Sequence, residues 1–98
     1  MAWAFRGNTS TLATSGEKNL PMIVGPFTVV NKTAGAITAN VYMVSGVDLY
    51  CIAPHNVSIN ANEMYQGDNT VVMLATEKIR VQVSGSVDFD FFIDNVKP

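Results

Sequence analysis

Residues 78–93 read Lys78-Ile79-Arg80-Val81-Gln82-Val83-Ser84-Gly85-Ser86-Val87-Asp88-Phe89-Asp90-Phe91-Phe92-Ile93. Ile79, Val81 and Val83 alternate with charged or polar neighbours, and Val87, Phe89, Phe91 and Ile93 resume the alternation after a small turn. Successive side chains of a strand point to opposite faces, so a period of two gives each run one apolar face and one more polar one. The stretch predicts two β-strands, with Val81, Val83, Phe89 and Phe91 in the core. A hairpin closed by Ser84-Gly85-Ser86 with Val83 opposite Val87 keeps every apolar residue on one side. That register sets Arg80 across from Asp90 and Gln82 across from Asp88, as outward cross-strand pairs.

Upstream, Ile37, Ala39, Val41 and Met43 alternate with Thr38, Asn40, Tyr42 and Val44 before Ser45-Gly46-Val47. Leu49 and Cys51 are expected to return on the inner face, Leu49 opposite Met43 and Cys51 opposite Val41. Tyr42 then stands beside Tyr50 on the outer face, near Val44 and Ile52, and makes that face apolar. An exposed apolar patch is a common mark of a partner surface. Phe27-Thr28-Val29-Val30-Asn31 and residues 56–60 and 70–74 read as further short strands. Gly, Pro, Asn and Ser punctuate these runs at the spacing of an all-β sandwich. The expectation is an all-β fold, a small antiparallel β-sandwich of jelly-roll or Ig-like type with six to seven strands over residues 21–98. Residues 1–20 hold neither period and read as an extended N-terminal arm, with Trp3 and Phe5 as aromatic anchors for a neighbouring subunit.

The chain has 98 residues, enough for one domain, and only 14% of them are charged, against about 25% in an average domain. A net charge of −2 with six scattered Lys and Arg argues against nucleic-acid binding, which needs clustered cations. No apolar run approaches the roughly 18 residues of a membrane helix, so no membrane partner is expected. The start lacks a basic leader and an apolar core of signal length, which predicts synthesis in the cytoplasm.

Chemistry has few carriers. Cys51 is the single cysteine and His55 the single histidine, with Pro54 breaking the strand between them. Cys51 reads as a small core residue and His55 as a loop residue, and no catalytic residue is assigned. Asp88, Asp90 and Asp94 share one strand face at a spacing too wide to share a cation without further oxygen ligands. The hairpin register gives them Arg80 and Gln82 as partners instead. No metal site and no cofactor is assigned, and the expectation is a protein that is not an enzyme.

Three segments carry a resemblance: residues 28–44, from Thr28-Val29-Val30-Asn31-Lys32-Thr33-Ala34-Gly35 to Val41-Tyr42-Met43-Val44; residues 52–59, with Ile52-Ala53-Pro54-His55-Asn56; and residues 71–81, with Leu74-Ala75-Thr76-Glu77-Lys78-Ile79. Together they resemble the small all-β virion proteins of tailed bacteriophages, with Thr76-Glu77 standing where that family has Gly-Asp. The resemblance implies a structural role in the virion: a capsid decoration or cement protein bound to the major capsid protein or to other virion proteins. It also implies a homo-oligomer, with a trimer among the options. A neck or tail adaptor is the alternative within the virion. A carbohydrate-binding module stacking sugars on Tyr42, Tyr50 and Tyr65 is the alternative from another class. The interface residues expected from the sequence are Trp3, Phe5, Tyr42, Val44, Tyr50 and Ile52.

Overall fold

The alternation in residues 78–93 folds as two strands of opposite sheets. The computed structural model describes residues 2–17 and 19–96, and of Ala2 the backbone alone; Met1 and Lys18 of the expected arm, and Lys97 and Pro98 of the expected domain, lie outside the described residues. Ten strands are present among them and no helix: β1 (Ala2–Thr9), β2 (Leu12–Thr14), β3 (Met22–Asn31), β4 (Ile37–Ser45), β5 (Asp48–Cys51), β6 (Val57–Ile59), β7 (Met64–Gly67), β8 (Val71–Met73), β9 (Lys78–Val83) and β10 (Val87–Asn95).

One sheet has the order β1-β10-β3-β7, with β8 also on β3; the other has the order β2-β9-β4-β5, with β6 also on β4. We call them sheets I and II. All their pairings are antiparallel. Since β1, β3, β7 and β10 lie in one sheet and β2, β4, β5 and β9 in the other, the chain crosses repeatedly between layers. This wrapping is the double-sheet jelly roll. The all-β sandwich expected from the sequence is therefore present, with ten strands in place of six to seven.

The core lies between the sheets. Val24, Phe27, Val29, Phe89, Phe91 and Ile93 from sheet I meet Ala39, Val41, Met43, Ile79, Val81 and Val83 from sheet II, all of them buried. Phe91 stacks on Phe27 with ring centroids 4.7 Å apart and planes 13° from parallel, and Phe89 meets Phe91 edge-on at 6.1 Å. Strand β3 keeps its inner face through a bulge. Against β10 its register jumps from Phe27 opposite Phe91 to Val24 opposite Ile93. The extra residue at Gly25-Pro26 flips the parity, so that Met22 and Val24 point inward with Phe27 and Val29. A bulge also tolerates Pro26, which has no N–H for the ladder. Gly25 has φ +111°, and a side chain there would collide with the Asn69 carbonyl.

Three expectations are corrected. Residues 78–93 form no hairpin: β9 pairs with β2 and β4, β10 with β1 and β3, and Ser84-Gly85-Ser86 arches from one sheet to the other. Parity orients a strand's faces, and an arch satisfies it as well as a hairpin does. Residues 2–14 are not an irregular arm. Strand β1 pairs with β10 from Ala2 opposite Asp94 to Thr9 opposite Val87, and β2 pairs with β9. The turn between β4 and β5 holds two residues, with Ser45 opposite Asp48, so Leu49 faces Val44 and Cys51 faces Tyr42. Gly46, at φ +62°, supplies the left-handed conformation that this tight turn uses.

Asn31, fully buried, ties the corner between the layers. Its Nδ2 donates to the carbonyls of Gly35 (2.8 Å) and Ile59 (2.9 Å) and, at 3.1 Å, of Asn60. Its Oδ1 accepts from the Thr33 N–H and hydroxyl, both at 2.8 Å. Ser15 performs the same service for the end of β2, where its Oγ accepts from the Ile79 N–H at 2.8 Å.

Candidate functional site

The six residues expected at an interface occupy separate places. Phe5 packs within its own chain, with its ring 4.7 Å from Phe89 and 5.6 Å from Phe91, so its expected role as an anchor for a neighbouring subunit is corrected. Gly7, two residues on along β1, leaves the space that the Phe89 ring fills. Trp3 stands nearer the end of the strand and is 39% exposed. Tyr42 and Val44 are half-buried on the outer face of sheet II, Tyr42 between Arg80 and Cys51, Val44 between Lys78 and Leu49. Tyr50 faces the other way, as the register partner of Met43. The expected pairing of Tyr42 with Tyr50 is thereby corrected. The parity argument required Leu49 and Cys51 to be inside. Strand β5 lies at the sheet edge with all four residues exposed, so burial places no demand on its phase.

An open cleft runs along that edge, where β5 of sheet II and β8 of sheet I part. It encloses about 350 Å³ and is lined by Met43, Tyr50, Ile52, Val71, Val72 and Leu74, with Glu77 at its polar margin. Tyr50 is 56% exposed, and Val72 and Leu74 are each 55% exposed. Glu77 is itself buried and turns its carboxylate inward, where Oε1 accepts from the Leu74 N–H at 2.7 Å. Of the expected set, Tyr50 and Ile52 are thus brought together, with Val72 and Leu74 added. The last two were hidden in a run that reads as one more short strand.

The groups considered for catalysis or metal binding are dispersed. Cys51 is exposed on β5, which corrects its assignment to the core, and His55 is exposed in the turn beyond it. Asp90 accepts from Arg6 Nη2 at 2.9 Å and Asp88 pairs with Lys32 at 3.2 Å, so Arg6 and Lys32 take the places expected for Arg80 and Gln82. Asp94 accepts from the Asn95 N–H. Among the described residues no group of three or more His, Cys, Asp or Glu is placed to hold a metal ion. The three tyrosines do not form one stacking platform either. Tyr42 is on the outer face of sheet II, Tyr50 lines the edge cleft, and Tyr65 packs against Phe27 with ring centroids 6.1 Å apart.

A second hollow, of about 330 Å³, lies on sheet I, where Ala4, Arg6, Gln66, Asp68, Asp90 and Phe92 converge. These residues come from both ends and the middle of the chain, and the register of β1, β10, β3 and β7 assembles them.

No family model matches this chain, and no curated protein matches it. Among solved structures, the core of Drosophila NLP, a structure described as giving insight into pentamer formation and histone binding, is similar in fold. The TM-score is 0.61 at 11% identity, over 99% of this chain and 98% of that one. At that identity the likeness is one of fold, and function has to be argued from sites.

Proposed function

We propose that this chain is a non-enzymatic structural subunit of a tailed-phage virion, a decoration or cement protein that acts as a homo-oligomer on the shell built by the major capsid protein. The observation that carries the reading is the open apolar edge, where Tyr50, Val72 and Leu74 surround the cleft between β5 and β8. Contiguous apolar surface of this kind loses free energy on contact with a partner at about 25 cal/mol per Å² removed from water. Support also comes from the phage resemblance of residues 28–44, 52–59 and 71–81, and from the low charge, which favours apolar contact over ion pairing. The NLP core, similar in fold, is described in terms of pentamer formation, which makes a closed ring the first stoichiometry to test. Histone binding is not carried over. Asp88 and Asp90 on sheet I are already paired with Lys32 and Arg6, and a neighbour at 11% identity carries no partner across.

The test is light scattering of the chain after size exclusion, together with co-sedimentation on phage particles stripped of minor proteins. An oligomer that binds the particles, and that Tyr50→Ser with Leu74→Ser converts to a folded monomer unable to bind, is the expected result. A wild-type monomer that ignores the particles would refute the reading.

A further inference from the structure

Arg6 on β1, Asp90 on β10, Thr28 on β3 and Gln66 on β7 are successive register partners across sheet I. Their side chains form one row on its outer face, spaced by the strand separation of about 4.8 Å. The row runs guanidinium, carboxylate, hydroxyl, carboxamide. Its two charges are joined by the 2.9 Å bond from Arg6 to Asp90, so it presents a mixed set of donors and acceptors with little net charge. On one side of the row lies the hollow of about 330 Å³, bordered by Ala4, Pro26 and Phe92, with Phe92 44% exposed. On the other side a hollow of about 420 Å³ continues past Asn8, Val30 and Asp88. Together they make a shallow groove floored by polar groups and edged by the Phe92 ring.

We propose that this groove binds a neutral oligosaccharide. A sugar ring carries C–H groups on its faces, which pack on aromatic side chains, and hydroxyls on its edge that each donate and accept. Phe92 supplies the apolar contact, and Thr28 and Gln66 supply groups that bond in both senses. Asp68 completes the set. Its carboxylate makes no hydrogen bond or ion pair among the described residues, accepts only, and suits two neighbouring hydroxyl donors. An acidic sugar would meet Asp68, Asp88 and Asp90 together. A cationic peptide would find Asp68 as the single carboxylate left without a counter-charge among the three.

The inference is independent of the virion reading, since the groove shares no lining residue with the edge cleft. It also leaves behind the three dispersed tyrosines and uses none of them. The experiment titrates the full chain separately with maltohexaose, cellohexaose, mannohexaose, chitohexaose and a hexa-arginine peptide in a calorimeter, reading the heat of binding. Saturable binding of at least one of the sugars is expected, weakened about tenfold by Asp68→Ala, as loss of a charged hydrogen-bonding group implies. Phe92→Ser should weaken it comparably, each variant keeping the parent melting temperature, whereas Tyr50→Ser should leave it unchanged. No response to any of the four sugars, an undiminished response in both groove variants, or a response confined to hexa-arginine would overturn the proposal.

Discussion

Asn31 ties two distant parts of this fold together, because one fully buried carboxamide satisfies backbone groups of its own loop at Thr33 and Gly35 and of Ile59 and Asn60 at the end of β6. Replacing it by Ala takes the donor from the carbonyls of Ile59 and Asn60 and the acceptor from the N–H of Thr33, while the Gly35 carbonyl keeps the Thr33 hydroxyl. We expect Asn31→Ala to cost about 2–4 kcal/mol in urea unfolding, since each buried group left unpaired costs about 1–3 kcal/mol. Asn31→Asp keeps the acceptor for Thr33 but turns a carboxylate toward carbonyl oxygens, and should be at least as damaging. A loss below about 0.5 kcal/mol in either variant would show that water replaces the side chain. Gly67 is fixed by packing alone. A Cβ there would enter the space of the Phe27 ring, which cannot retreat because Phe91 is stacked on it. Gly67→Ala should therefore cost about 1–3 kcal/mol, and pairing it with Phe27→Leu should recover part of the loss if that collision is the cause. In the sequence, Asn31 and Gly67 look like ordinary loop-forming letters. Their roles depend on residues 28 and 40 positions away in the chain.

Strand β1 is where local reading and structure part most sharply. Ala2-Trp3-Ala4-Phe5-Arg6-Gly7-Asn8-Thr9 shows a weak period of two because Gly7 and Thr9 replace the apolar residues expected on the inner face. Strand β10 supplies the missing volume, with Phe89 over Gly7 and Phe91 beside Phe5. Removing residues 1–9 exposes both rings and leaves β10 as a sheet edge. The deletion should cost about 3 kcal/mol or more, which for a domain of this size lowers the melting temperature by about 12–24 °C. Calorimetry of the truncated chain checks this, and a melt within about 4 °C of the full chain would show β1 to be dispensable. The arch between β9 and β10 has its own test. A double-mutant cycle on Arg6 and Asp90 should give a coupling of about 0.2–1 kcal/mol, as exposed ion pairs do. The same cycle on Arg80 and Asp90 should give none, whereas a hairpin would couple that second pair.

The molecule as a whole measures 44 × 27 × 19 Å, with a radius of gyration of 13.0 Å. Both sheets contribute exposed apolar side chains where the sandwich opens at β5 and β8, and an oligomer closing that edge would link stability to concentration. The melting temperature should therefore rise across a hundredfold increase in chain concentration, and Tyr50→Ser with Leu74→Ser should abolish that dependence. A melt independent of concentration in the parent chain would place the edge outside any self-contact. Class and core were legible at the start. Period-two alternation fixes which side of a strand is apolar, and Val81, Val83, Phe89 and Phe91 are buried as that rule requires. Chain neighbours cannot reveal strand partners, because an arch and a hairpin bury the same faces. Nor can they reveal the phase of an edge strand such as β5, which burial does not constrain. The edge cleft and the groove on sheet I belong to that second kind of information. Each is built from side chains that are distant along the chain, and long-range backbone pairing alone sets them side by side.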